Sequence, residues 1–414
     1  MSTGRSMMKA ERLCPQCGKE IPPNEVGCLS CAANGTFLRY LSRETILLLC
    51  VPVLAALFAI TSASARIYHS QQRALAQECF LRGEAELRSG RAPEAIKDFS
   101  RALAYSRDNR NYRLRLAQAL LAANRSEEAR PYLLNLWRDE PGNGTVNLEL
   151  ARLAVRRSES NEAIRYFHNA IYGVWETNPE NQRRQVRLDF CEYLLSRGER
   201  QAALAALIEL AADLPKDAGF CAHVGTLFLK AKDYGQALDT FRQALNLDSR
   251  QVTALSGAGE ASFRMANYRD ARRYLERAVR LNPQETTAAQ RLELTNLILS
   301  LDPLERGLSA QTRARRVVFA YQHALERMRN CAQKRGEALD EGQPPATDLQ
   351  TAYARLMELG PKVSETALRR NPDLLTQAMD LVFEVEEFTA RDCGYPGGVD
   401  LALLLIARKH GGSE

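Results

Sequence analysis

A chain of 414 residues that is 26% charged, 45% hydrophobic and 7% aromatic has a globular composition, neither disordered nor collagen-like. Its 56 basic and 50 acidic side chains leave a formal charge of only +6, without the concentrated basic face of a nucleic-acid binder. A mean hydropathy of −0.34 excludes a polytopic transporter but leaves room for one membrane span; the length suits roughly two to three domains whose cores need no disulfide staples.

Four of the ten cysteines stand at the N-terminus, Cys14 and Cys17 followed by Cys28 and Cys31, in the spacing C-x2-C-x10-C-x2-C. Each C-x2-C knuckle points two sulfurs at one point in space, and four thiolates satisfy a tetrahedral zinc ion. A disulfide knot and a dithiol redox pair are the rival readings, but a redox pair calls for a βαβ setting. The segment resembles the short zinc ribbons at the N-termini of many bacterial membrane proteins. With no His, Asp or Glu among the ligands, the expected Zn2+ is structural, and it would supply folding energy to a segment too small for a core. The ribbon is expected over residues 1–43. The other cysteines show no pairing pattern in sequence and read as small buried hydrophobes.

From Thr45 to Ala65 no charge interrupts the chain, and Glu44 and Arg66 bracket the run. Twenty-one helical residues span about 31 Å, the thickness of a hydrocarbon core, so a transmembrane helix is expected over 44–66. Ala63-Ser64-Ala65 also resembles a cleavage site, but 44 preceding residues with a ribbon make an uncleaved anchor the preferred reading. Arg5, Lys9, Arg12, Lys19, Arg39 and Arg43 precede the span, and Arg66, Arg73 and Arg82 follow it, so charge alone orients it weakly. Reduced thiolates fit the cytoplasm. The expectation is therefore a single-pass inner-membrane protein, its N-terminus cytoplasmic and its larger part outside.

Beyond the span the sequence repeats every 34 residues. Ala95, Ala129 and Ala163 form one series and Ala203, Ala237 and Ala271 another, the step between them being 40, which places six extra residues near Trp175–Pro179. Twelve positions before each alanine stands a small residue (Gly83, Ala117, Ala151, Cys191, Gly225, Gly259), and four after it a bulky one (Phe99, Leu133, Phe167, Leu207, Phe241, Leu275). The small residue lets one helix approach the next. The alanine and the bulky residue share one helix face, and Pro141, Pro215 and Pro283 end second helices. Units of this kind leave a face uncovered and must stack. The frame resembles the tetratricopeptide repeat, most closely at 218–250 with Gly225, Phe228, Tyr234, Ala237, Phe241 and Ala244. Six units over 76–285 imply an all-α solenoid, a superhelix of helix–turn–helix repeats.

A capping helix is expected at 286–300 and a long helix at 308–337, together the segment 286–341. A linker at 342–347 and further helices at about 348–359, 362–370 and 373–390 lead to a buried terminal helix around Leu401–Ile406 in the segment 348–414, to which no family resemblance is assigned. The acidic run Glu384, Glu386 and Glu387 reads as a solvated helix face. The five histidines have no ligand-spaced partners, Ser256–Glu260 lacks the strand of a phosphate loop, and no catalytic motif is present, so no enzyme is expected.

The resemblance implies that the first helix of each unit lines a concave face that binds protein or peptide partners. Its groove positions here are Phe80, Glu84, Arg88, Leu114, Gln118, Arg152, Arg156, Glu192, Thr226, Lys230, Glu260, Phe263 and Arg264. The fifth positions (Phe80, Leu114, Leu148, Leu188, Ala222, Ser256) lack the family's carboxylate clamp. A C-terminal helix folded back into the groove is the competing arrangement. The reading is a membrane-anchored scaffold or adaptor in bacterial envelope assembly or secretion, with no nucleic-acid partner and the oligomeric state open. A regulator whose ribbon binds a cytoplasmic protein or nucleic acid, or an enzyme in the C-terminal segment, are its alternatives.

Overall fold

The computed structural model describes residues 12–32, 43–339 and 345–411, with side chains of the second stretch from residue 47 onward. Arg5, Lys9, Arg39 and the first half of the expected linker, 342–344, lie outside the described residues. The chain divides into two compact units, 1–139 and 140–414.

In the first unit β1 (Arg12–Leu13) pairs antiparallel with β2 (Glu20–Ile21), and a single turn, α1 (Leu29–Ala32), follows. Then come α2 (Arg43–Arg88), α3 (Ala92–Tyr105), α4 (Arg110–Ala122) and α5 (Ser126–Asp139). The apolar run and the first repeat helix, expected as separate elements, are one helix of 46 residues. The reason is local: residues 66–75 contain neither glycine nor proline, so nothing breaks the ladder. Pro52 lies inside this helix.

The second unit continues the pairs with α6 (Gly144–Arg156) and α7 (Ser160–Ile171), α8 (Pro179–Ser196) and α9 (Arg200–Ala211), α10 (Ala218–Lys230) and α11 (Tyr234–Leu247), α12 (Val252–Arg264) and α13 (Tyr268–Leu281). α14 (Thr286–Leu301), α15 (Ala310–Arg335), α16 (Asp348–Leu359), α17 (Glu365–Arg370), α18 (Pro372–Asp392) and α19 (Gly398–Gly411) complete it. This is an all-α solenoid of tetratricopeptide type.

The repeat frame has a direct steric meaning. All six frame alanines are fully buried, and the bulky residues four positions on are at most 3% exposed. A Cβ added at Gly83 would come within 2.8 Å of the Phe99 ring, one at Gly225 within 2.7 Å of Phe241, and one at Gly259 within 2.6 Å of Leu275. Each small residue thus makes room for the bulky residue of its own unit, fixing how closely the two helices pack. The turn inside each unit repeats as well. Gly90, Asn124, Ser158, Gly198, Lys232 and Ala266 all have positive φ, between 56° and 77°, and they follow the same 34- and 40-residue steps. The backbone N–H groups of the residue itself and the next close onto carbonyls of the preceding helix, as in Lys232 to Leu229 and Asp233 to Phe228.

The six inserted residues turn back on α6. Trp175 is buried, its indole N–H donates to the Ala170 carbonyl at 2.9 Å, and Val174 bridges to Asn143. Gly144 is needed there, because a Cβ would meet the Trp175 ring at 2.3 Å.

Three expectations are corrected, two of them about the C-terminal helices. Cys331 on α15 and Cys393 after α18 form a disulfide with Cα atoms 5.5 Å apart, although the sequence shows no pairing pattern; packing of α18 on α15 is what brings them together. Glu386 is not on a solvated face but is 0% exposed. It shares the inner stripe of α18 with Val382 and Thr389, four and three positions away, while Glu384 pairs outside with Arg355 at 2.6 Å. Histidines also have carboxylate partners that spacing concealed: His223 meets Glu192 at 2.6 Å and His410 meets Asp302 at 3.1 Å.

α14 packs on α13 and on the terminal helix α19. Asp302, which caps the C-terminal end of α14, is fully buried and receives Lys409 Nζ at 2.9 Å as well as His410. Burial opposes ionisation of this carboxyl, but the Lys409 and His410 bonds outweigh it and hold its pKa below the usual range. The end of the solenoid is thus covered by the last helix of the chain.

Candidate metal centre and peptide-binding cleft

The first candidate site is the four-cysteine cluster. The β1–β2 turn carries Cys14 and Cys17, α1 carries Cys31 and Cys28 just precedes it. Gly18, at φ +68°, lets the first knuckle close. The four Sγ atoms lie within 4.8 Å of one another, with Cys14 and Cys31 separated by 3.9 Å and Cys17 and Cys28 by 3.4 Å. Zinc with four sulfurs at about 2.3 Å in a tetrahedron requires sulfurs about 3.8 Å apart, so the donor set fits such an ion. The thiols also respond to one another. Backbone amides of Gln16 and Cys17 bring the Cys14 thiol down to about 7, whereas hydrogen bonding with Cys17 and Cys14 pushes Cys31 up to about 12. Four thiolates this close repel without a cation between them.

The second candidate is a cleft of about 840 Å³ in the second unit, formed by the first helices α10 and α12 together with α14. Thr226 and Leu229 form one wall, Thr253 and Ser256 the middle, and Arg291 and Leu294 the other wall. Ser256 Oγ is shielded from solvent and has no hydrogen-bond partner. Glu260 lies between the walls, bound at 2.7 Å by both Arg264 and Arg291. Of the residues expected on the groove, Thr226 and Glu260 line this cleft.

The others are placed variously. In the first unit Phe80 is a core ring, stacked on Tyr112 at 4.9 Å and tilted against Phe99 at 5.7 Å. Glu84 pairs with Arg115 at 3.0 Å, Gln118 accepts from the same arginine at 2.9 Å, Leu114 is half-buried and Arg88 exposed. In the second unit Arg152 joins Glu149 and Asp189 at 3.3 Å each, Glu192 meets His223, and Arg156 and Lys230 are exposed. Phe263 is only 6% exposed, edge-on to Tyr268 and capped by the Arg291 guanidinium at 4.4 Å. It does not line this cleft.

Arg291 and Leu294 are among the α14 cleft residues that the repeat count stopped short of. Adding one period of 34 to the cleft positions 257 and 260 gives 291 and 294, and adding it to the buried Ala254 gives Ala288, also buried. α14 thus continues the register of the first helices, and that was the signal in the sequence.

Solved structures with similar helix-pair arrangements include a tetratricopeptide protein named YrrB, described as having an unusual peptide-binding site (17% identity over 47% of this chain and 97% of that one, TM-score 0.39). They also include PilW, described as a type IV pilus biogenesis factor (16% identity, 52% and 98%, TM-score 0.41). A third is the C-terminal part of a tetratricopeptide protein from Cytophaga hutchinsonii (11% identity, 76% and 98%, TM-score 0.42). No curated protein matches the chain. The family profile described as tetratricopeptide repeat matches residues 86–142 and 228–294. The chain therefore carries tetratricopeptide repeats.

Proposed function

We propose that this protein is a membrane-anchored scaffold whose second unit holds an extended or helical peptide in the α10–α12–α14 cleft. The observation that carries the reading is the cleft itself: about 840 Å³ of open space across successive first helices, lined by both apolar and hydrogen-bonding side chains. Such a lining suits several weak contacts rather than one anchor. Confinement to a surface raises local concentration, so weak contacts suffice. The anchor is α2, a helix long and apolar enough to cross a membrane, with the side chains of its apolar window exposed. The four-cysteine cluster holds zinc as a structural ion. A place in envelope assembly or secretion fits a scaffold tethered in this way.

The chain is oriented with the cluster in the cytoplasm and the repeats outside. Supporting this, the clustered thiols precede the apolar segment and the Cys331–Cys393 disulfide follows it; free thiolates persist in reducing compartments and disulfides in oxidising ones.

A photoreactive side chain at Thr253, exposed within the cleft, tests the reading against one at Arg273, exposed on α13. Crosslinking in living cells to a defined partner from Thr253 and not from Arg273 is the expected result. Equal capture from both positions, or none from either, overturns it.

A further inference from the structure

Beside the cleft lies a second cavity of about 490 Å³, and no repeat builds it alone. The end of α12, the start of α13 and α14 supply one side; Tyr395 and the terminal helix α19 supply the other. Beside Ala266, Leu294, Leu401 and Leu405, three aromatic rings line it, and each carries a cation. Arg291 sits over Phe263 at 4.4 Å, Lys409 lies 5.7 Å from the centre of the Tyr268 ring, and Arg408 lies 5.7 Å from that of Tyr395.

The charges do not cancel. Arg264 and Arg291 share a single carboxylate, Glu260. Lys409 is neutralised by the buried Asp302. Arg408 has no carboxylate within ion-pair distance among the described residues and meets only the Tyr395 ring, itself 63% exposed. Arg264, Arg291 and Arg408 thus meet one carboxylate between them, an excess of two positive charges around a cavity with no acidic residue in its lining. Guanidinium groups match carboxylates in pairs of hydrogen bonds, and aromatic faces hold the forks in place.

Arg291 and Leu294 line both this cavity and the cleft. A chain lying in the cleft therefore runs into the cationic cavity without leaving the protein surface. We infer that the cavity receives an acidic stretch of the same peptide, its Asp or Glu carboxylates bound between Arg264, Arg291 and Arg408. This rests on the proposed function and adds the chemistry of the partner: apolar residues for the cleft, followed by carboxylates. Because α19 provides Arg408, the specificity would come from outside the repeats.

The test is selection of a displayed library of random 12-residue peptides on the detergent-purified full-length chain. Three proteins are compared: the natural one, Arg408→Gln, and Thr253→Trp, which fills the cleft. Arg408 is exposed and bound only to a ring, so its replacement leaves the fold intact; Arg264→Gln serves as a second variant. The natural chain is expected to enrich Asp and Glu beside apolar residues by roughly threefold or more over the library. Arg408→Gln keeps the apolar preference and loses the acidic one, and Thr253→Trp loses both. Apolar peptides without acidic enrichment from the natural chain overturn this inference and leave the cleft reading standing. Acidic enrichment that survives both arginine replacements also overturns it, and failure to select any peptide overturns both readings. Displacement of the selected peptides by phosphatidylglycerol micelles, but not by phosphatidylcholine micelles, assigns the cavity to lipid and overturns it as well.

Discussion

Glu386 shows how one residue can be misjudged from its neighbours in sequence. Three glutamates in four positions look like a solvated face, yet the helix turns this one inward, to 0% exposure. It meets Arg327 Nε at 3.4 Å, and that guanidinium also binds Asp400 at 3.3 Å, Thr389 and the Gly394 carbonyl. His323 lies 3.9 Å from Asp400. One arginine faces two carboxylates, and the buried one takes the proton: burial first, then the charge of Asp400, raise Glu386 to about 8 against the pull of Arg327. A carboxyl whose pKa is raised on folding adds stability below its unfolded pKa of 4.5, and this is lost as pH climbs to about 8. The slope is up to about 1.4 kcal/mol per pH unit. Glu386→Gln should remove that slope, so the variant gains on the natural chain as pH rises from 5 to 8. Thermal midpoints measured across this range check it; parallel profiles would show that Glu386 stays ionised.

Between elements, the six turns with positive φ mark where each first helix ends and its partner begins. Glycine occupies that position in only two units, Gly90 and Gly198. Elsewhere an L side chain is held where its Cβ crowds the carbonyl, at a cost of about 1–2 kcal/mol. Lys232, at φ +62°, is exposed and has no packing to lose. Lys232→Gly should therefore raise stability, by about 0.5–1 kcal/mol after the added freedom of the unfolded chain is counted. Denaturant unfolding of the two proteins decides it, a lower midpoint for the variant refuting the strain. The same turns show what the repeat frame left unread. The alanine and bulky positions recur as residue types, whereas the turn recurs only as a conformation, filled by Gly, Asn, Ser, Lys and Ala.

At the scale of the whole molecule, chemistry on the two sides of the apolar segment differs. Clustered thiols lie before it and a disulfide after it. Bridging Cys331 and Cys393 closes a loop of 62 residues, the kind of cross-link that contributes about 2–4 kcal/mol in an oxidising compartment. A cysteine introduced at the exposed Asp373 should react with a membrane-impermeant maleimide in intact spheroplasts. Reaction only after lysis would place the second unit in the cytoplasm and reverse the orientation.

The sequence by itself determined what is periodic or contiguous. Helix pairing follows from small and bulky residues 16 positions apart, which describe one steric contact repeated along the chain. The cysteine knuckles and the apolar helix were legible for the same reason, since each is a pattern held within a few dozen residues. The tertiary structure alone decided the contacts between distant segments. Asp302 with Lys409, Cys331 with Cys393, and Arg327 with Glu386 each join residues at least 59 positions apart. None belongs to a repeat, so no spacing announces it. The cavity shared by α14 and α19 exists only because the last helix folds back on the end of the solenoid, where an uncovered apolar face would otherwise meet water.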